Sequence, residues 1–414
     1  MPFPSFAGTT KRKKLEPLNF KKTTYFKYIR TNLFLMKHFD VAIIGSGPSG
    51  ASTAFNLAKA GISTVIIEKE TLPRYKTCGG GFVYRGRKDL PFDISDVIER
   101  EFYKVDTYFG DKLHFESTRE KPVISMIMRD AFDHLIVKKA TELGVTLLQG
   151  HKLIGLTFNE ENIVLKTSQN ELSVKFIIAA DGVLSPTAKM AGWKEDTRKL
   201  IPALEYEVEV PTEDFERLSK EVRFDIDAAP SGYAWCFPKK NHLSLGVLTT
   251  KRSKINLKEY YAEYLKKLGI TTIIKESQHG FQIPVAPRTD GFFKKNVFLI
   301  GDAAGFAEPI TAEGISNAIL SGKYVAEALT ESKLNAEIAE KLYNEKLNIK
   351  LVPELQSGIV LAKYFYTKNP IRKFLLKKYG QRFGDLMVDI LLGDKPFPTN
   401  VSERIKAKVK EKLF

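Results

Sequence analysis

The chain has 414 residues, 43% of them hydrophobic, which suffices for more than one core, since single cores stop growing at roughly 250–300 residues. Its two cysteines, Cys78 and Cys236, exclude a disulfide framework and any cluster or zinc site needing four thiolates, and they suit a reducing cytosol. The net charge is +15, and residues 1–37 hold nine Lys/Arg against the single acid Glu16. A basic body favours anionic lipid head groups or phosphorylated substrates over nucleic acid, for which no motif is present; a plain solvated surface fits equally well.

Residues 1–36 are basic and poorly periodic, and read as a disordered tail or as a spurious extension upstream of Met36. They lack the apolar stretch of a secretory signal, and no run anywhere approaches the roughly 20 apolar residues of a spanning helix. The expected location is the cytoplasm, in solution or on the inner face of a membrane. Residues 39–44 form a short apolar run read as a buried strand. A turn follows at 45–50, then a helix over 48–60 stopped by Gly61, and a second strand over 64–68. A helix is expected over 130–143, a buried strand over 176–180, and β-like alternation through 200–290, as in Glu205-Tyr206-Glu207-Val208-Glu209-Val210. A last strand at 297–300 precedes a helix over about 313–329, and the chain from 335 onward is helical and basic.

Gly45-x-Gly47-x-x-Gly50 lies between a strand and a helix. The first glycine permits the tight turn, the second lets a pyrophosphate reach the backbone, and the third lets helix and strand pack closely. The helix start offers free N–H groups and a positive dipole end to the anion. Glu68, 18 residues past Gly50, suits ribose hydroxyls. Strand, turn, helix, strand and terminal acid in register predict a dinucleotide site without distinguishing FAD from NAD.

Three later segments bear on that choice. Arg129 stands just before a helix, Asp181-Gly182 ends a strand, and Gly301-Asp302 ends another and opens a helical region with Gly314 and Ile315 downstream. Each alone is equally well a helix cap or a turn. In this order they resemble the p-hydroxybenzoate-hydroxylase-like FAD superfamily. The resemblance implies FAD, with its adenosine and pyrophosphate around Gly45, Gly47, Gly50 and Glu68, Arg129 near the pyrophosphate or ribose, and Asp302 at the ribityl chain. The full candidate cofactor set is Gly45, Gly47, Pro48, Ser49, Gly50, Glu68, Lys69, Cys78, Gly79, Arg129, Asp181, Gly182, Gly301, Asp302, Gly314 and Ile315.

Two further segments narrow the resemblance. Residues 74–81 read Arg-Tyr-Lys-Thr-Cys-Gly-Gly-Gly, and residues 230–238 fit P-x-x-Y-x-W-x-F-P. Together they resemble the geranylgeranyl reductase family, whose members reduce isolated double bonds of prenyl chains on lipids, chlorophyll and menaquinones. In a strand, Tyr233, Trp235 and Phe237 share one face. They make either an apolar wall for such a chain or the core between sheet and helices. Cys78 is either a proton donor to an alkene that accepts hydride poorly, or a small buried hydrophobe. Cys236 falls in the opposite alternation and reads as structural. The candidate catalytic residues are Cys78, Tyr233 and Trp235, and the candidate substrate residues are Gly80, Gly81, Tyr233, Trp235 and Phe237. The six histidines form no metal spacing.

The expected fold is α/β, α+β overall: a Rossmann-like FAD domain over 37–104, 129–200 and 291–330, an inserted antiparallel-sheet substrate domain over 105–128 and 201–290, and a helical C-terminal region over 331–414. The expected function is FAD-dependent reduction of prenyl C=C bonds, with NADPH, NADH or reduced ferredoxin as donor. One rival is an FAD monooxygenase or halogenase, although Tyr233-x-Trp235-x-Phe237-Pro238 departs at two positions from the W-x-W-x-I-P of halogenases. The other rival is a flavoprotein that carries or senses prenyl lipid without turnover. The oligomeric state is left open. Residues 371–414 mix Ile, Leu and Phe with Lys and Arg, and either lie on a membrane or form a solvated cap.

Overall fold

A computed structural model describes residues 1, 36–110, 112–251, 255–367, 370–399, 401 and 403. The expected tail over 1–36 falls almost wholly outside the described residues, as does the extreme C-terminus.

An eight-stranded sheet carries Lys37–Ile44 at its centre, with Thr64–Glu68 and Thr146–Gln149 on one side and Glu171–Ala179, Val297–Leu299 and Phe293–Lys294 on the other. Lys37–Ile44 pairs in parallel with Thr64–Glu68, and Glu171–Ala179 with Val297–Leu299. These strands are apolar along most of their length because helices cover both faces, and Val41, Ala42, Ile43, Val65, Ile66, Ile177, Ile178, Phe298 and Leu299 are all buried. Parallel strands deliver their C-terminal ends to one edge. Ala180 N–H donates to Ile44 O at 2.9 Å and Ile300 N–H to Ala179 O at 3.2 Å, so the turns after three strands gather there.

A seven-stranded sheet runs in the order Lys275–Pro284, Leu200–Glu209, Leu243–Thr249, Gly232–Pro238, Val222–Ile226, Lys104–Phe109 and Leu113–Thr118. It is antiparallel except where Val222–Ile226 meets Lys104–Phe109. One face packs on the amphipathic helix Leu257–Leu268 through Tyr206, Val208, Ala234, Cys236, Leu243, Leu245 and Val247. The opposite face carries Tyr233, Trp235 and Phe237 and packs with residues of the helices Leu351–Tyr366 and Pro370–Leu392. A three-stranded sheet of Gly81–Val83, Ile124–Ile127 and Ile98–Phe102 holds the end of the cysteine loop.

The expected α/β architecture with an antiparallel second sheet and C-terminal helices is the one observed. Boundaries move slightly: Arg129 is the first residue of the helix Arg129–Glu142 rather than the one before it, and the strand expected over 176–180 begins at Glu171. No described helix is long and apolar enough to cross a membrane.

Candidate flavin and substrate site

The phosphate turn is built from sterically constrained glycines. Gly45 has φ +101°, and a Cβ there would lie 2.5 Å from Ala180 O. A left-handed backbone pressed against a neighbouring strand end leaves room for hydrogen alone. Pro48 begins the helix Pro48–Lys59, where its missing N–H costs nothing, and Ser49 and Gly50 form its first turn.

Two guanidinium groups converge on this turn. A Cβ at Gly47 would sit 3.7 Å from Arg129 Nη2 and 3.9 Å from Arg74 Nη2. Both arginines are seated by Asp133, which is fully buried: Arg129 Nε and Nη2 donate to its two oxygens at 2.8 Å each, and Arg74 Nη1 donates to Oδ2 at 3.0 Å. Burial opposes the charge on Arg129, but Asp133 overrides it and holds the guanidinium above its usual range. Asp133 and Glu68, the latter 3.6 Å from Arg74 Nε, fix the two guanidiniums beside the turn, where their remaining N–H groups suit a pyrophosphate. Arg74 and Asp133 were missed as site residues in the sequence reading. Arg74 belongs to the cysteine segment, and Asp133, one helical turn after Arg129, looks like an ordinary surface pair.

The three strand-end acids have different surroundings. Glu68 is buried at the end of its strand, and its Oε2 accepts from Ser46 N at 3.0 Å and Ser46 Oγ at 2.6 Å. Its Oε1 accepts from Glu70 N at 3.1 Å. Burial pushes its pKa up, but the bonds from Ser46 and Glu70, with Arg74 beside it, hold it below the usual carboxylate range. With about four lone-pair sites on a carboxylate, Glu68 keeps acceptor capacity for a ribose hydroxyl. Asp181 is engaged locally: it accepts from Ser185 Oγ at 2.6 Å, Thr187 N at 3.0 Å and Thr187 Oγ1 at 2.6 Å, securing the helix Pro186–Ala191. Asp181 therefore caps this helix, with the same spare acceptor capacity as Glu68, and Gly182 beside it makes a positive-φ turn. Asp302 is half-buried. Burial raises its pKa against the pull of Lys76, Arg129 and Arg198. Asp302 lies beside the start of the helix Ile315–Glu331, where a Cβ on Gly314 would be 3.5 Å from its Oδ1. Gly301, Asp302, Gly314 and Ile315 are thus brought together. Arg198, also missed, ties this corner down by donating to the carbonyls of Asp302 and Val183 at 2.6 Å each. Lys69 points into solvent and pairs with Glu70 at 3.5 Å, so its side chain is away from the turn.

These residues fit FAD. A clash-limited glycine turn, two seated arginines, an acid with spare acceptor capacity and a second acid at a long helix start match a diphosphate flanked by two polyols.

The cysteine loop joins this corner to the second sheet. Trp235 Nε1 would lie 2.9 Å from a Cβ at Gly79, and the Phe237 ring 3.0 Å from one at Gly81. Gly80 has φ +66°, and a Cβ there would overlap Ile127 O and Lys239 Nζ. The glycine triplet is therefore the space into which the aromatic strand fits. Cys78 is half-buried, accepts from Gly80 N at 3.4 Å through Sγ, and lies within interaction range of Arg129. Trp235 Nε1 is buried without a hydrogen-bond partner, and Tyr233 OH donates to Thr311 O. Behind Tyr233 an apolar cavity of about 60 Å³ runs between the sheet and the helix Pro370–Leu392, lined among others by Phe109, Phe224, Phe365, Phe383 and Leu391. Lys239, fully buried, donates to Gly79 O at 2.7 Å and Ile127 O at 2.9 Å. No described group of three or more His, Cys, Asp or Glu side chains is arranged to hold a metal.

The model of the FAD binding domain family matches residues 38–85 and 99–337. An uncharacterized protein of Methanosarcina barkeri is 30% identical over 348 residues, which cover 83% of this chain and 88% of that protein. The chloroplastic geranylgeranyl diphosphate reductase of Arabidopsis thaliana is 29% identical over 400 residues, 89% of this chain and 83% of that protein. The crystal structure of a geranylgeranyl bacteriochlorophyll reductase-like protein from Thermoplasma acidophilum superposes with a TM-score of 0.71 at 24% identity, covering 90% of this chain and 96% of that one, which supports the fold. The chain belongs to the FAD binding domain family and is a distant homologue of the geranylgeranyl reductases.

Proposed function

We propose that this protein is an FAD-dependent reductase that saturates C=C bonds of a prenyl chain carried by a lipid, quinone or pigment. The observation that carries the reading is the row of rings Phe237, Trp235 and Tyr233, the first two packed on the Cys78 loop and the third lining the apolar cavity beneath Pro370–Leu392. Reduced FAD supplies hydride when bound. The chain's own tasks are to seat the cofactor through the glycine turn, Arg74, Arg129, Glu68 and Asp302, to hold an alkene against the loop, and to exclude water. An unactivated alkene accepts hydride poorly because charge develops at its substituted carbon, and a proton given from Cys78 Sγ to one carbon offsets this. NADPH, NADH and reduced ferredoxin all remain candidate donors.

The helices Leu351–Tyr366 and Pro370–Leu392 together support a membrane contact. Residues 355–384 contain no acid. Tyr364, Phe374, Leu375 and Tyr379 are exposed among the exposed cations Lys363, Lys373, Lys377, Lys378 and Arg382. Exposed rings and leucines ringed by cations fit an anionic lipid surface, from which a prenyl lipid would enter.

Dithionite-reduced protein incubated with geranylgeranyl lipids and menaquinones should raise product mass in steps of two hydrogens. Incorporated oxygen, or no change with any of these substrates, would overturn the reductase reading.

A further inference from the structure

Lys239, Glu205, Glu207 and His242 are charged or titratable groups on the seven-stranded sheet that have no part in holding FAD. Directly paired residues in antiparallel strands share a face. Trp235 pairs with Gly246, Gly246 with Glu205, and Glu205 with His279, so one row across the sheet reads Trp235, Gly246, Glu205, His279. The next row reads Phe237, Ser244, Glu207, Ser277. The two glutamates therefore stand on the aromatic face, under the cysteine loop. Glu205 is 2% exposed, and a Cβ on Gly246 would overlap the Trp235 ring that lies beside it.

The contacts form a chain. Asn241 sits at an exposed turn, and its Oδ1 is 3.0 Å from His242 Nδ1. His242 Nε2 is 3.0 Å from Glu207 Oε2. Glu207 stands two residues along the same face from Glu205, and its carboxyl and the backbone N–H of Cys78 both lie within interaction range of Glu205. Glu205 Oε1 accepts from Ser244 Oγ at 3.2 Å, whereas Oε2 meets no donor. A buried carboxyl oxygen that meets no donor is satisfied when it carries a proton itself, so this orphaned oxygen fits a protonated Glu205.

We propose that His242, Glu207 and Glu205 are positioning residues that form a proton-supply line from the Asn241 turn to the Cys78 thiol. The proposal rests on the reductase reading. For each double bond saturated, the Cys78 S–H bond breaks and its proton forms a C–H bond at one alkene carbon, reduced flavin supplying the hydride to the other. The thiolate then takes the proton of Glu205. Glu205 is recharged through Glu207 and His242, and His242 from water, so one solvent proton enters per double bond. Burial first, and then the neighbouring Glu207, push the Glu205 carboxyl above its usual range against the pull of Lys239, which keeps it protonated where an exposed glutamate is not. The other groups facing it are Tyr75, stacked 4.2 Å from His279, and His279 itself across the sheet. Lys239, also near Glu99, is pulled below its usual range by burial, with these acids opposing.

The test uses FAD-loaded, dithionite-reduced protein in single-turnover reduction of a geranylgeranyl lipid, read as product mass against pH, with FAD content measured in parallel. Glu205→Gln keeps an acceptor for the Cys78 N–H but has no proton to give. It should retain FAD, lose at least about tenfold in rate, and lose the decline of wild-type rate as pH rises. His242→Ala should lose a similar factor and recover with added imidazole. Wild-type rates and pH profiles in both variants would overturn the line, and so would losses that track lost FAD or that imidazole leaves unrestored. A wild type without turnover would sink the reductase reading alone. The line is then judged by alkylation of Cys78, with buried Cys236 as internal control. Once pH is high enough to ionise Glu205, its carboxylate repels the thiolate, so Glu205→Gln should speed Cys78 alkylation there, and an unchanged rate would overturn it.

Discussion

Along Gly232–Pro238 both faces of the seven-stranded sheet are buried, but they pack against different partners. Within Gly232–Pro238, Ala234 and Cys236 point into an aliphatic layer under Leu257–Leu268, while Tyr233, Trp235 and Phe237 point at the cysteine loop. Within Leu200–Glu209, Tyr206 and Val208 join the aliphatic layer, while Glu205 and Glu207 lie with the aromatics. The first face also buries charge: Asp225, opposite Ala234, accepts from Tyr264 Oη at 2.8 Å and Arg223 Nε at 2.6 Å and pairs with Lys267 at 3.1 Å. The second retains a donor and an acceptor without partners, Trp235 Nε1 and Glu205 Oε2, and a loop that admits no Cβ at Gly80. Natural cores leave few such atoms unsatisfied, so it is these two unpaired atoms beside the cysteine loop, not burial or polarity as such, that mark the second face.

The two cysteines give the most direct way to break this comparison. Cys78→Ala should slow prenyl reduction by about 10²–10⁴-fold, the usual worth of a positioned acid, with FAD binding retained. Cys236→Ala should leave the rate per folded molecule unchanged, because the Cys236 thiol is pushed up to about 12, by burial first, and is shut in the aliphatic layer. Single-turnover rates of the two variants decide it; equal rates would erase the functional distinction between the faces. Gly80→Ala comes next. Its Cβ would overlap Ile127 O and displace Lys239, so activity should fall with FAD content nearly intact, as flavin absorbance against product yield would show.

The ease of reading these features in the sequence follows the range of the interactions behind them. The turn at Gly45–Gly50 was legible because its requirements are local: a tight bend, an anion approach and a helix start within six residues. The aromatic triplet was legible from strand alternation, which also put Cys236 on the far side. The burial of Glu205 was not legible, because acids alternating with Tyr206 and Val208 mark a strand but not what covers its polar side, and the cysteine loop beside Glu205 is far away in the chain. At Asp181, a strand-end acid before a helix looks alike whether it holds a sugar or its own helix. Arg74 and Asp133 meet across 59 residues of chain, and Lys239 and Gly79 across 160, distances over which no sequence pattern speaks.

On the aliphatic face the expected currency is stability. Leu245 is fully buried there, and Leu245→Ala should cost about 2–5 kcal/mol by lost transfer energy and the cavity left behind. Chemical denaturation would show the loss, while turnover per folded molecule stays at the wild-type value. A comparable activity defect would mean that the two faces are mechanically coupled through the strands.

The smallest expected effect sharpens the comparison from the other side. The folded state raises the Glu205 pKa, so its carboxyl binds a proton more tightly folded than unfolded. The stability this provides is fully present below the ordinary glutamate range and is lost as pH rises through the folded pKa. Glu205→Gln mimics the protonated form at every pH. The variant and the wild type should therefore melt together in mild acid and separate as pH rises, with the variant the more stable, gaining at most about 1.4 kcal/mol per pH unit. An equivalent change on the other face, Tyr206→Phe, should show no such divergence at pH 5–8, since burial pushes that phenol above its usual range and it stays protonated throughout. Melting curves of both variants across that range separate the outcomes. Parallel curves for Glu205→Gln would mean that its carboxyl is ionised in the folded protein and that the orphaned oxygen is met by solvent rather than by a proton.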